Sequence, residues 1–375
     1  MYRSAFSILV LLASSIIPGG TGRAGEMPRP GGPTHSEYLV GVYYFSGWWR
    51  AQPNKYFTAG RDWRAVWPGR RALLGEYNEQ ETMDREIVAA AGSGIDFFQI
   101  LWYSPFTDPG GTSDSQKLNE GLRLFMASTN SPRMKFTVEC VNHPPFQLDT
   151  DSAWEAACRT WCAAMKHPSY LRVGGRPIFK VHGADYFFTQ NGRDPARVAA
   201  RLATLRRIAH ESRLPEPLIS AGVGVGGVAT GPTVAAYDFL TTYMEMPNLP
   251  QVEKPYPYET LLSYAEEGWR RYARLSEKPY VPYVPAGWDP RPWKDSRASF
   301  EFPDREQWVG ALHRVKAALD SSPRLGVPLP GGKRQKMLLI YAWNEFGEGG
   351  IVAPTQGGGE MKLKAIASVF GGRPR

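Results

Sequence analysis

A single-domain (β/α)8 TIM barrel is the fold this sequence predicts, and three observations carry the expectation. Eight apolar or β-branched runs recur along the chain. Amphipathic helical periods separate them, and polar and aromatic residues collect at the C-terminal ends of the runs. Strands buried on both faces read as continuous apolar runs, and their alternation with helices implies a parallel sheet. Eight such units close into a barrel rather than spreading into an open sheet.

The runs are Tyr38–Phe45, Ile95–Tyr103, Met134–Asn142, Pro177–Gly183, Pro217–Val223, Tyr237–Met244, Tyr280–Ala286 and Met337–Trp343. Between them, Trp154, Cys158, Trp161 and Met165 fall on one helical face. Val198, Leu202, Leu205 and Ala209 do the same, as do Trp308, Leu312, Val315 and Leu319. Further helices are expected at Glu81–Ala91, Gln116–Ser128, Pro257–Leu275 and Lys362–Val369. Between runs five and six, Ala229–Ala236 leaves room for a turn or two only.

The N-terminus reads as an export signal. Arg3 supplies a positive end, Ala5 to Ile17 is an apolar core too short for a membrane span, and Gly22 and Ala24 suit a cleavage site. The expected division is a signal peptide at 1–24 and a catalytic domain at 25–375, secreted or periplasmic, with no stable membrane span after cleavage. Removing Arg3 and Arg23 takes the 44 basic residues to 42 against 36 acidic ones, a formal +6. The paired bases Arg206-Arg207 and Arg270-Arg271 lie on predicted helices and read as solvated faces. No basic run is interleaved with aromatics, so no nucleic-acid partner is expected. Cys140, Cys158 and Cys162 do not make a disulfide framework. Cys158 and Cys162, four apart, could bridge locally, but buried small side chains are the expectation.

In barrels of this kind the active site is built at the C-terminal strand ends. Those ends carry Tyr43, Tyr44, Trp102, Tyr103, Glu139, Asn142, His143, Lys180, His182, Tyr243, Glu245, Trp288, Asp289, Trp343, Asn344 and Glu345. The sharpest feature is Trp343-Asn344-Glu345-Phe346-Gly347-Glu348-Gly349, two carboxylates three residues apart where the last strand meets a glycine-rich loop. Extended, their backbones would stand roughly 10 Å apart, and a turn would bring them to roughly 5–6 Å. Glycoside cleavage needs such a pair, one carboxyl protonated to release the leaving oxygen and one ionised as base or nucleophile. Indole faces pack against pyranose rings while polar groups bond the hydroxyls. Tyr43, Trp102, Asn142, Lys180, His182, Tyr243, Glu245, Trp288, Asp289, Trp343 and Asn344 are therefore expected as sugar contacts.

Two other patterns carry less. Gly222-Val-Gly224-Val-Gly226-Gly227 fits a dinucleotide fingerprint, but it follows the fifth run and no long helix opens after it. His143 and His182 sit on different strands without helical spacing, so orientation or substrate bonding is expected rather than metal. No cofactor is expected.

The blocks VYYFSGWW, LGEYNEQETMDREIVAAAGSGIDFFQILWY, YLRVGGRPIFKVHG, AGWDPRPW and YAWNEFGEGGIVAP resemble the glycoside hydrolase family 71/99-like barrels, including family 99-like domains of bacterial polysaccharide clusters. The last block is similar to the W-N-E-W-x-E-G signature of that group. The resemblance implies an endo-acting, retaining mannosidase in which Glu345 deprotonates the sugar 2-hydroxyl and Glu348 is the general acid/base. Phe346, Gly347 and Ala353 depart from the pattern at subsites rather than at the acid pair. The functional expectation is an exported glycoside hydrolase acting on a glycan or polysaccharide. The alternatives are a non-catalytic glycan-binding barrel and a glycosyltransferase-like biosynthetic protein.

Overall fold

Eight apolar runs form eight parallel strands wrapped into a closed barrel, because neither face of such a strand tolerates water. The computed structural model describes residues 37–105, 114–224 and 231–371. The expected export signal lies outside these residues. The strands are β1 (Tyr38–Tyr44), β2 (Phe97–Tyr103), β3 (Lys135–Val141), β4 (Arg176–Val181), β5 (Leu218–Val223), β6 (Phe239–Thr242), β7 (Tyr280–Val281 with Tyr283–Pro285) and β8 (Arg334–Tyr341). They follow one another round the barrel in chain order, and β1 pairs with β8 in register from Tyr38 opposite Lys336 to Val42 opposite Ile340.

Closure depends on β7. Its first half pairs with β6 and its second half with β8. Pro282, which has no N–H to give a ladder, separates the two halves. Its carbonyl still accepts from the Leu339 N–H at 3.0 Å, so the strand bends without leaving the sheet.

The helical layer matches the expected periods: α1 (Gln80–Gly92), α2 (Glu120–Ala127), α3 (Asp151–Met165), α4 (Pro195–Glu211), α5 (Tyr258–Leu275), α6 (Arg305–Ser321) and α7 (Met361–Phe370). Side-chain caps start several of them. Thr150 accepts from the Ala153 N–H, Asp194 from Ala196, and Asp304 with Gln307 closes a capping box on α6. The single helix expected over Gln116–Ser128 is instead two pieces, Asp114–Leu118 and α2. Asn119 sits at the break, where its side chain bonds both the N–H and the carbonyl of Tyr103 at 2.8 and 2.7 Å. That tie to the end of β2 competes with a continuous helix. Between β5 and β6 only a single turn, Gly231–Thr233, is present among the described residues.

The three cysteines are buried and unbridged. Trp154, Trp161, Trp269 and Trp308, expected as helix packing residues, are at most 4% exposed. No helix among the described residues is long and apolar enough to cross a membrane.

Candidate active site

The C-terminal ends of the strands surround a cavity of about 1020 Å³. Glu345 and Glu348 both line it. Strand β8 ends at Tyr341, and the chain then makes a short hairpin in which Asn344–Glu345 pairs with Gly350–Ile351. Within it the N–H groups of Glu348 and Gly349 both donate to the Glu345 carbonyl, at 3.1 and 2.8 Å. Gly349 adopts φ +88°, a left-handed conformation that a side chain resists. The turn therefore presents both carboxylates to the same space.

Each carboxylate has its own brace. Tyr243 Oη donates to Glu345 Oε1 at 2.5 Å. Tyr341 Oη donates to Glu348 Oε2, and Arg297 lies 3.5 Å from Glu348 Oε1. Burial pushes the Glu345 carboxyl well above its ordinary range. The neighbouring Glu348 charge raises it further, while Tyr243 and Lys55 work against the rise. Glu348 is also raised, by burial first, against the opposing pull of Tyr341 and Arg297. Two acids on one turn inside a low-dielectric wall titrate as a pair.

Beneath the cavity lies a buried charge cluster. Lys180 Nζ is 2.9 Å from Glu139 Oε1 and donates to Tyr43 Oη at 2.8 Å. Tyr43 Oη in turn donates a hydrogen bond to the Thr242 carbonyl at 2.7 Å. His182 Nδ1 is 2.6 Å from the same Glu139 oxygen. Burial alone would raise Glu139, but Lys180 and His182 more than offset it and hold the carboxyl below its usual value. Lys180 is lowered by burial, with Glu139 opposing. With Nδ1 on a carboxylate, His182 turns its Nε2 edge away from Glu139. Its ring lies edge-on to Tyr243 with centroids 4.9 Å apart.

The residues expected as sugar contacts divide sharply. His182, Tyr243, Glu245 and Trp288 line the cavity. Glu245 is held by Arg271 at 2.6 Å and Tyr272 at 2.5 Å. Tyr43 and Lys180 lie below the floor in the cluster just described. Trp102 points outward, because Leu101 and Tyr103 take the inner face of β2 and successive side chains alternate. It packs edge-on against Trp161 of α3. Trp343 also lies outside the cavity lining, bonded through Nε1 to Glu86 of α1 at 3.0 Å. Asn142 ties the ends of β3 and β4 through both the N–H and carbonyl of Gly183, each at 2.9 Å. Asn344 ties β8 to β1 through the N–H and carbonyl of Phe45 in the same way. Asp289 is enclosed by Arg70 and Arg291, at 2.5 and 2.7 Å.

Other lining residues had no assigned role. Lys55 and Arg297 come from loops and Trp293 from a single 3-10 turn, Arg291–Trp293, where no periodicity marks them. The Lys55 carbonyl accepts from both Trp63 Nε1 and Trp293 Nε1 at 2.9 Å, which pins the loop over the site. Trp293 follows Trp288 in the block AGWDPRPW, so the sequence signal for it was present.

The glycine pattern on β5 serves packing. A Cβ on Gly222 would fall 1.8 Å from the His182 carbonyl oxygen, and one on Gly224 would strike the Glu245 carboxylate. The remaining glycines of that pattern lie outside the described residues. Among the described residues no group of three or more His, Cys, Asp or Glu is arranged to hold a metal. His143 donates from Nδ1 to the Pro144 carbonyl, 2.8 Å away, and burial lowers its pKa.

No protein-family model matches the sequence, and no curated protein matches it. Solved structures do resemble it. A glycoside hydrolase-like protein is 16% identical, with 92% of this chain and 97% of that one aligned and a TM-score of 0.59. The GH99 endo-alpha-mannosidase from Bacteroides thetaiotaomicron is 14% identical, with 90% and 98% aligned and a TM-score of 0.56. A GH5_18 protein from Bifidobacterium longum subsp. longum is 13% identical, with 90% and 78% aligned and a TM-score of 0.51. At these identities the likeness is one of fold, the (β/α)8 barrel that all three share with this chain.

Proposed function

We propose that this protein is an exported glycoside hydrolase that cleaves a glycan or polysaccharide with the Glu345/Glu348 pair. The observation that carries the reading is the turn itself. It sets two raised-pKa carboxyls, one braced by Tyr243 and one by Tyr341 and Arg297, against a cavity of about 1020 Å³ at the C-terminal face. Its polar groups and its Trp288 and Trp293 indoles suit a saccharide.

The chemistry needs one proton on the pair. Glu348, protonated, gives its proton to the leaving glycosidic oxygen as the C1–O bond breaks. Glu345, ionised, takes the proton of the sugar 2-hydroxyl, whose oxygen closes on C1. Water then opens the 1,2-anhydro ring with Glu348 as base and Glu345 returning the proton, so configuration is retained. Mutual repulsion between the two carboxylates favours one proton shared by the pair. The rise is the larger at Glu345 in the free site, and a sugar 2-hydroxyl bonded to Glu345 Oε2 is what shifts the proton to Glu348 in this reading. Endo-action and mannosidase-like specificity belong to the same proposal, supported by the sequence resemblance and by the GH99-like fold. Export is supported by the N-terminal pattern, and residues 25–375 as one catalytic domain by the continuous run of strand and helix signals.

The test is reducing-end release from a panel of α-mannans, other neutral glycans and acidic polysaccharides, with wild type, Glu345→Gln and Glu348→Gln. Release by wild type alone supports hydrolysis by this pair and names the substrate class. Saccharide binding by all three proteins without release from any glycan would overturn the reading in favour of a binding barrel.

A further inference from the structure

A second cavity, of about 520 Å³, lies beyond the acid pair, where the loop after β8 meets the loop after β1. Trp67, Arg70, Phe302, Thr355, Met361 and Lys362 form the parts of its wall that matter here. Gly357–Gly359 complete it, and Gly357 comes so close to Gly69 that its N–H bonds the Gly69 carbonyl at 2.8 Å. A Cβ on Gly357 would lie 3.0 Å from that carbonyl oxygen, so a small residue keeps the two loops together.

Among the described residues the wall carries two basic side chains, Arg70 and Lys362, and no carboxylate. Arg70, 4% exposed, uses Nη1 on the carbonyls of Asp289 and Phe346 and Nη2 on the Asp289 carboxylate, while its buried Nε has no partner among the described residues. Lys362 donates to the carbonyls of Ala286 and Ile351, each at 2.6 Å, which leaves one of its three protons over. Asp289, the acid that pairs with Arg70, is already shared with Arg291. Burial and the Arg70 charge together push Lys362 down to about 7, the behaviour of a cation lacking an anion. Lys362 also opens α7, whose N-terminal dipole favours negative charge.

Aromatic faces flank this charge. The Arg70 guanidinium lies 4.9 Å from the Trp67 ring centre and 5.2 Å from that of Phe302, which is 42% exposed at the edge. A simple inorganic anion would use the cations and leave both rings idle. A pyranose bearing a carboxylate uses both, its apolar face on the rings and its charge on the bases. We propose that this second cavity is a binding site for an acidic sugar unit of a polysaccharide, separate from the Glu345/Glu348 cavity. It holds the carboxylate between Arg70 and Lys362 and the ring against Trp67 and Phe302.

Binding rather than hydrolysis tests this, so the outcome does not depend on the catalytic reading. Calorimetric titration of the full chain would use an oligogalacturonate, a neutral cello-oligosaccharide of equal length, and inorganic phosphate. The expected result is binding of the oligogalacturonate, weakened by added salt, with the neutral oligomer at least tenfold weaker. Lys362→Met and Phe302→Ala should each weaken it about tenfold or more, while Glu348→Gln leaves it unchanged. Phe302→Ala removes an exposed ring and keeps the test sound if Lys362→Met fails to fold. Equal binding of the neutral oligomer, or phosphate binding that survives Phe302→Ala in place of sugar binding, would overturn the proposal. Loss of oligogalacturonate binding in Glu348→Gln, or no binding at all, would overturn it too.

Discussion

Tyr243 donates its hydroxyl to Glu345 Oε1 at 2.5 Å while the other oxygen of that carboxylate, Oε2, is buried with no partner among the described residues. One oxygen is fixed by the fold and one is left to react. An unsatisfied buried acceptor costs about 1–3 kcal/mol, a cost that a substrate hydroxyl would relieve. Tyr243 in turn packs between Tyr43, His182 and Tyr341, with ring centroids 4.7 to 4.9 Å away. The position of Glu345 is therefore set by side chains from four strands or strand ends.

Removing this brace has a signed consequence. The Tyr243 hydrogen bond holds the Glu345 carboxyl down against burial and the Glu348 charge. In Tyr243→Phe the carboxyl rises, less of it is ionised at a given pH, and the acid limb of kcat/KM moves to higher pH. Turnover near neutrality should fall about tenfold or more. A limb that stays in place would assign Tyr243 to packing alone.

Glu348→Gln should lower turnover by about 10²–10⁴-fold, the usual contribution of a general acid or base. The side chain is 16% exposed and the amide can still accept from Tyr341, so Tm should stay within a degree or two of wild type (roughly 0.5 kcal/mol). Thermal melting beside a reducing-end assay measures both.

Glu86 predicts a pH dependence of stability. It lies on α1 at 3% exposure, receives Tyr44 Oη at 2.8 Å and Trp343 Nε1 at 3.0 Å, and is pushed up to about 7 by burial. A raised folded-state value means that its stabilisation is fully present below the unfolded value of about 4.5 and is lost as pH rises through 7. The loss is roughly 3 kcal/mol at most. Wild type should therefore melt lower at pH 8 than at pH 5 by more than Glu86→Gln does, as scanning calorimetry would show.

Trp102 separates packing from recognition. Its ring meets Trp161 at 5.1 Å outside the barrel and is 3% exposed. Trp102→Ala should cost about 3–5 kcal/mol of stability, yet leave the KM of the folded fraction near wild type. Trp288→Ala, by contrast, opens the cavity wall and should raise KM.

The charge cluster beneath the site behaves differently again. Glu139→Ala leaves the Lys180 ammonium, 1% exposed, without its carboxylate. Breaking a buried pair in this way costs about 3–5 kcal/mol, so the variant should unfold at clearly lower denaturant concentration.

Much of this was legible in the chain. Each strand shows its apolar run and each long helix its period, because burial on both faces or on one stripe leaves a regular trace. The turn that bears Glu345 and Glu348 is local too, since three residues and the glycines around them determine it. A period of two, however, says that Trp102 and Tyr103 face opposite sides without saying which faces in. Closing the barrel chose the phase, putting Tyr103 on the cavity and Trp102 against α3.

The sequence by itself thus determined the fold class and the turn that carries Glu345 and Glu348 at the C-terminal rim, since each rests on neighbours along the chain. Only the tertiary structure decided which rim residues meet a ligand. Asn142, Asn344 and Asp289 are polar groups at strand ends, as ligand contacts would be, but their bonds hold loops together. Lys55, Arg70 and Arg297 carry no periodic trace, and Lys362, which does lie in an expected helix, meets Arg70 roughly three hundred positions away only when the barrel closes.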